Sequence, residues 1–486
     1  MRGREGKTGG MEGPRELELD EATVRKLVAA ATERILAYIR ALPEQPVVRS
    51  EGGLELARAL KESLPEEGVP FDELLDLLFE CAIPVGFNTA SPGYLAYIPG
   101  GGIVHAAVAD LIADATNRYV GVWLAAPGLV QLEQNVVAWF CEILGLPAGS
   151  GGFLTTGGSL ANLSAVITAR CVKLGEELSD GVVYTSEQAH HSVKKAALLA
   201  GLREANVRAV PTRACFRMRA MDVERLVAED RARGLRPFLV VGSAGTTNTG
   251  AVDDLMGLSE LCTREGLWFH VDAAYGGFFR LTERGREALR GIERADSITL
   301  DPHKGLFLPF GNGSLLVRDV GALRKAHGGS ADYLPPMRDD DDLVDFCEIS
   351  PELTRDFRGL RAWLPLKLHG VAPFRRALDE KLDLARYAFE QLKARDDIEI
   401  VAEPQLSVLA FRWLPARLRG APVDDINAAN RALLERVNAR GHVYLTPTLL
   451  GGRFVIRIAV LHFRTHKERV DMALDDLARS IDELES

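Results

Sequence analysis

Lys304 stands in "ADSITLDPHKGL", directly after an alternating run that reads as a β-strand. Lysine is among the residues least often buried, so its place between an apolar strand and "GLFLPF" has either of two explanations. One is a lysine paired with an aspartate. The other is an amine partly deprotonated by its surroundings and able to form a Schiff base. Four further strand ends carry unusual groups. After "GGFLTT", the stretch "GGSLANLSAVITARCVKL" opens a helix with Gly157, Gly158 and Ser159. Free N–H groups at a positive helix end suit a phosphate, although Ser159 also fits an ordinary N-cap. After "GVVYTS" come the adjacent His190 and His191. Neighbours in sequence do not share a helix face, so the pair does not grip one metal, and we assign no metal site. Either is a surface or core histidine, or a flat ring that stacks on a flat ligand. After "RPFLVVGS", Thr246 and Thr247 offer hydroxyls or simply shape a turn. After "LWFH", Asp272 ends an apolar strand, where a carboxylate is costly unless a cation pairs with it. It could also cap the next segment. Ala273 and Ala274 then leave space for something flat.

Open α/β sheets bind ligands outside the carboxyl ends of their strands. Read as a set, these five ends supply a phosphate cradle, a stacking ring, hydroxyls, a carboxylate and an amine. Pyridoxal 5'-phosphate (PLP) uses all five. A carboxylate beside its ring nitrogen keeps that nitrogen protonated. The protonated ring is an electron sink for a carbanion at a substrate's α-carbon.

The elements that must hold these groups are legible in outline. A chain of 486 residues, 47% apolar, is long enough for a large core and more than one domain. Its net charge of -10 argues against a nucleic-acid partner. No apolar run approaches the roughly 20 residues needed to span a bilayer, so no membrane partner is expected. Residues 1–17 are Gly-rich and charged, without an apolar h-region, and read as a disordered tail in which Met11 could be the true start. "GREGKT" at 3–8 lacks both the first glycine and the preceding strand of a P-loop. Six scattered cysteines without a CxxC pair fit reduced thiols and a cytoplasmic location. Residues 18–95 read as a helical N-terminal segment that ends in a Pro- and Gly-broken stretch. From 96 to 370, helices alternate with the apolar runs "GGFLTT", "GVVYTS", "RPFLVVGS", "LWFHVD", "DSITLD" and "GSLLVR", which predicts a covered, mostly parallel sheet. Residues 371–486 read as a smaller α+β domain, whose closing helix begins with Thr465 and Glu468 in capping-box spacing.

The motifs "TTGGSLANL", "SEQAHHSVKKAALLAG", "GTTNTGAVDDL", "LWFHVDAAYGG", "ADSITLDPHKGL" and "RDFRGLRAW" follow one another in an order and spacing that resembles the group II PLP-dependent amino-acid decarboxylases. That family includes the aromatic-L-amino-acid decarboxylases, and the likeness runs from about residue 85 to the end. It implies the α/β architecture of fold type I: a mostly parallel seven-stranded sheet with helices on both faces, a small C-terminal α+β domain, and an N-terminal helical segment. It further implies a homodimer, with residues 18–95 embracing the partner and the active site near the interface. By this resemblance Lys304 is the Schiff-base lysine and Asp272 the partner of the pyridinium nitrogen. His190 stacks on the ring, and Gly158 and Ser159 hold the phosphate, with His303 nearby. Ala274 packs under the ring, and Thr246 lies by the phenolate oxygen. Tyr333, in the loop "AHGGSADYLPPMRDDDDLVDF", falls where the family carries the tyrosine that protonates the carbanion after CO2 leaves. The implied reaction converts an aromatic L-amino acid (Trp, Tyr, Phe or DOPA) to its amine through a Lys304 Schiff base and a quinonoid intermediate. Alternatives are a non-aromatic substrate such as glutamate, an aldehyde synthase, in which phenylalanine typically replaces the tyrosine, or a catalytically silent dimer. Two departures stand out. Asp301 occupies a position where several relatives have asparagine, and would repel the phosphate unless its oxygens are turned onto backbone donors. "SPGYLAYIPGG" lacks the Trp-His pair of animal aromatic decarboxylases, leaving Tyr94, Tyr97 and Trp123 as aromatic candidates for the substrate pocket. Arg355 and Arg358 are candidates for charge contacts near the site or for structural ion pairs.

Overall fold

The computed structural model describes residues 17–212, 215–329 and 343–486. All of the expected tail except Leu17 lies outside the described residues, as does Tyr333. The chain separates into two compact units, one ending at Asn88 and the other spanning Thr89–Ser486. In the first, the helix Glu21–Ala41 is capped by Asp20, whose carboxylate accepts the Thr23 N–H at 2.7 Å. Shorter helices at Gly53–Ala59 and Phe71–Asp76 follow, and Val48–Arg49 pairs antiparallel with Gly86–Phe87. No residue of the long helix is buried, and Val24, Val28, Ile35 and Leu36 are exposed.

The second unit is built on a seven-stranded sheet. Across it run Gly151–Thr155, Gly313–Val317, Ser297–Leu300, Trp268–Asp272, Arg236–Ser243, Gly181–Ser186 and Val207–Val210. Gly313–Val317 is antiparallel to both neighbours, and the other pairings are parallel. Because that strand reverses direction twice over, Gly151–Thr155 points the same way as the remaining five. Six strand ends therefore open on one edge. The strands are near-continuous apolar runs because both faces are covered. Val182, Tyr184, Phe269, Val271 and Leu316 pack into one core with the helices Pro127–Leu144 and Leu255–Glu265. Their neighbours in the strands face the other side: Val183 and Trp268 pack with the helices Gly158–Lys173 and His191–Leu199, while Leu315 and Val317 join a core that includes Ala161 and Ala165. Gly313 lets the reversed strand approach the loop after Gly151–Thr155. A Cβ there would lie 2.5 Å from the Gly157 Cα.

A smaller antiparallel sheet orders Ile398–Ala402, Val408–Trp413, Arg453–Ala459 and Thr446–Leu450. The helices Ala372–Lys393, Val423–Ala439 and Lys467–Glu485 share a core with its Leu409, Phe411, Ile456 and Ile458. The expected capping box does not form. His466 is the N-cap residue of the closing helix but its side chain caps no N–H, and the buried Thr465 hydroxyl donates to the Pro92 carbonyl at 2.6 Å. A buried hydroxyl with a strong acceptor in reach is not free to cap. Arg355 and Arg358 are ion-pair residues. Arg355 meets Glu133 at 2.7 Å with both side chains fully buried, and Arg358 contacts Glu352 and Asp356. Both guanidiniums also donate to the Leu154 carbonyl and so brace the end of Gly151–Thr155.

Two buried histidines make this unit acid-sensitive. Burial pushes His270 down to about 4 and His462 to about 3, from an ordinary 6.5. Both are depressed bases, so the unfolded chain binds more protons than the native one below pH 6.5. Their stabilising effect is complete above that pH and is lost as pH falls toward the native values. At pH 5 each is expected to lower stability by on the order of 2 kcal/mol relative to pH 7.5. Urea unfolding at the two pH values checks this, and an unchanged midpoint would count against it.

Candidate active site

The five marked strand ends meet in one cleft of about 300 Å³. Eight of the expected residues line it: Gly158, Ser159, His190, Thr246, Asp272, Ala274, His303 and Lys304. The ninth, Tyr333, lies outside the described residues. The lining includes none of Tyr94, Tyr97 and Trp123. Tyr94 instead stacks on Tyr444, with centroids 6.1 Å apart.

One wall is the start of the helix Gly158–Lys173. Its N-cap is Gly157 rather than Ser159, and no side chain caps it. The first-turn N–H groups are therefore left for an external acceptor. Gly158 is a close approach: a Cβ there would lie 3.1 Å from Asp301 Oδ2 and 3.2 Å from Ala274 Cβ. Space at the anion end of the cleft thus depends on a missing side chain.

Asp301 and Lys304 belong to a single short helical turn at the end of Ser297–Leu300. Lys304 Nζ sits 2.8 Å from Asp301 Oδ2. Of the two explanations for this lysine, the ion pair is present, and its aspartate is Asp301, three residues away. The expected backbone donors to Asp301 are not what satisfies it. One oxygen is held by the ammonium, and the other, buried, has no hydrogen-bond partner among the described residues. His303 Nε2 is 3.6 Å from the same carboxylate, while its Nδ1–H donates to the Asn312 carbonyl at 2.7 Å. Burial holds the His303 ring below its ordinary pKa, against the pull of Asp301.

Asp272 ends its strand with both oxygens occupied. Oδ1 accepts the Ala274 N–H at 3.2 Å, and Oδ2 accepts Asn162 Nδ2–H at 3.0 Å. His190 is the N-cap of the helix His191–Leu199, and its Nδ1 accepts the Ser192 N–H. Burial lowers its pKa, opposed by the charge of Asp272. The Thr246 hydroxyl meets that of Thr249 at 2.9 Å, and the Gly250 N–H bonds to the Thr246 carbonyl. Thr246 therefore shapes a turn and lines the cleft at once. Sequence reading missed Asn162 and Ser192, which also line the cleft. The available signal was spacing: Asn162 follows Gly158 by four residues, which puts both on one helix face.

An occupant of this cleft meets anion donors at one end, a flat space at Ala274, an imidazole, a carboxylate and an amine. That donor set fits PLP: a phosphate for the helix start, a basic ring nitrogen for a carboxylate, and an aldehyde for a lysine. Residues 54–414 match the pyridoxal-dependent decarboxylase conserved domain. The chain is 35% identical over 455 residues to an aromatic-L-amino-acid decarboxylase of Bacillus atrophaeus, covering 93% of this chain and 94% of that one. It is 31% identical over 473 residues to a phenylacetaldehyde synthase of Petunia hybrida, covering 94% and 93%. The crystal structure of Oryza sativa TDC with PLP and tryptamine superposes with a TM-score of 0.92 at 29% identity, over 96% of this chain and 99% of that one. With a match across most of its length and the donor set in place, the chain belongs to the pyridoxal-dependent decarboxylase family and takes pyridoxal 5'-phosphate as its cofactor.

Proposed function

We propose that this protein decarboxylates an aromatic L-amino acid to the corresponding amine and CO2. The observation that carries the reading is the convergence of Lys304, Asp272, His190 and an uncapped helix start on one cleft. When bound, PLP supplies an aldehyde and an electron-withdrawing ring that accepts the electron pair left behind by departing CO2. In this reading Gly158 and Ser159 hold the phosphate through first-turn N–H groups, with His303 beside them. Asp272 would face the ring nitrogen and keep its proton in place. His190 would lie on one face of the ring, Ala274 would leave room at the other, and Thr246 would offer its hydroxyl to the phenolate oxygen. Lys304, once free of Asp301, would supply the amine for the aldehyde. Tyr333, outside the described residues, is the residue this reading expects to supply the proton that the substrate's α-carbon takes up after CO2 leaves. The names of the Bacillus and Oryza relatives support an aromatic substrate, and Tyr333 supports the amine as product over the aldehyde.

The assembly we infer is a homodimer with the site near its interface. Residues 18–95 embrace the partner, 96–370 bind the cofactor, and 371–486 form the small domain. Support comes from the helix Val104–Thr116, which exposes Val104, Val108, Leu111 and Ile112 as one apolar stripe, and from the unburied helix Glu21–Ala41. Sedimentation is expected to give twice the mass of one chain, and a monomer would overturn the pairing. A cytoplasmic location belongs to the same reading and is supported by six free cysteines. No helix among the described residues is long and apolar enough to cross a membrane.

The decisive test is product release from PLP-loaded protein given L-Trp, L-Tyr, L-Phe, L-DOPA and L-Glu. Equal amounts of amine and CO2 are expected from at least one aromatic substrate, and neither from Lys304→Ala. Release from glutamate alone would refute the aromatic assignment, and aldehyde in place of amine would favour the activity named for the Petunia relative. Asp301 gives a separate prediction. Its carboxylate adjoins the anion end of the cleft, so Asp301→Asn removes a like charge from the phosphate site. Affinity for PLP is expected to rise by about tenfold in a fluorescence titration. Weaker binding would mean that the ion pair with Lys304 helps loading.

A further inference from the structure

A single buried amide connects two groups on opposite sides of the cleft. Asn162 is 1% exposed and sits one turn into the helix Gly158–Lys173. Its Nδ2 donates to Asp272 Oδ2 at 3.0 Å and to Ser192 Oγ at 2.9 Å. Its Oδ1 accepts the Thr299 hydroxyl at 2.8 Å and lies 3.0 Å from His270 Nε2. The amide has only one orientation that works. A carboxylate accepts and cannot donate, so the NH2 group must face Asp272.

That choice propagates in both directions. The Asn162 oxygen only accepts, so His270 carries its proton on Nε2. His270 Nδ1 then accepts from the Ser297 hydroxyl at 2.8 Å, and that oxygen accepts Trp268 Nε1–H at 2.8 Å. On the other side, Ser192 Oγ accepts from Asn162, and its own hydrogen passes to His190 Nδ1 at 2.7 Å. The Ser192 N–H points to the same nitrogen at 3.3 Å. With two donors aimed at Nδ1, the His190 proton belongs on Nε2. The burial that lowers its pKa keeps the ring neutral. The network draws on two strands and two helices, so neither Asp272 nor His190 can turn independently of the other.

We propose that Asn162 is a positioning residue serving both sides of the cleft: it fixes the Asp272 carboxylate and, through Ser192, holds His190 as the neutral Nε2–H tautomer. The consequence for the reaction rests on the proposed function, in which Asp272 and His190 meet the cofactor. The tautomer itself does not.

Long-range proton–nitrogen NMR of full-length protein labelled with 15N-histidine tests it, with His190→Gln used to assign the signal. The native protein at pH 7.5, with and without PLP, is expected to show the Nε2–H form of His190 alone. Ser192→Ala removes the hydroxyl donor to Nδ1 but keeps the backbone N–H, so it should shift the His190 Nδ1 resonance and admit only a minor share of the Nδ1–H form. Asn162→Asp can donate to at most one partner, and only when protonated, so it should disturb the tautomer, the absorbance or both. An Nδ1–H tautomer in the native protein would overturn the proposal. So would Asn162→Asp protein that keeps both signatures. If Asn162→Asp does not fold, the native tautomer and Ser192→Ala decide the question alone. Failure of the cofactor reading looks different: the native protein would gain no visible absorbance from PLP, whatever the tautomer of His190.

Discussion

Strand direction is the constraint on which the site depends. A glycine-opened helix can cradle an anion beside Asp272 and Lys304 only if its strand ends on the same edge as theirs. Gly151–Thr155 is not a neighbour of Ser297–Leu300. Gly313–Val317 lies between them and runs against both. Two antiparallel steps restore the direction that parallel pairing sets for the other strands. Residues more than a hundred positions apart thus reach one cleft, and the chain needs no long loop to bring them there. Arg355 and Arg358 hold the outermost of these ends by donating to Leu154; the buried Glu133 pairs with Arg355, and Glu352 and Asp356 pair with Arg358. Removing one member of such a pair would leave a buried charge without a partner, which costs more than the intact pair contributes.

Within the cleft, electrostatics divides along its length. At one end, the carboxylate of Asp301 lies close to Gly158 at the helix start, and the Lys304 ammonium neutralises it. At the other, Asp272 has a backbone donor on one oxygen and a side-chain amide on the other. The first arrangement is a local contact between residues three apart, and it can open when something else engages the amine. The second is tied into a buried network and is fixed. The proposed reaction, in which Lys304 is released while Asp272 stays fixed, would draw on that asymmetry.

Much of this was legible because covered parallel strands read as continuous apolar runs, and the residues that break them at their ends mark the ligand edge. Six strands were visible in that way. The seventh, Val207–Val210, lies at the sheet edge with a single buried residue, so its four-residue segment carries no such run. Seven of the site residues stood out by their place at strand ends, and His303 came only with the family resemblance. Asn162 did not stand out, because an asparagine inside a helix looks ordinary until the partners that neighbouring strands bring to it are known. The aspartate that pairs with the lysine could not be named for a related reason. Asp272 and Asp301 both end strands, and only the helical turn after Ser297–Leu300 decides which carboxylate the amine meets. The Thr465 spacing had the right residues for a cap, but a carbonyl more than 370 residues away in sequence took the hydroxyl.

The contact between Gly313 and Gly157 says something about how such a site can diverge. At the anion end the walls are main chain against main chain, with no clearance for even one methyl group. A position of that kind admits essentially one residue type, and change there damages the frame before it can alter recognition. His190 and Thr246 are constrained differently: each is tied to its neighbours by hydrogen bonds, so substitution there acts through bonds lost and not through steric clash.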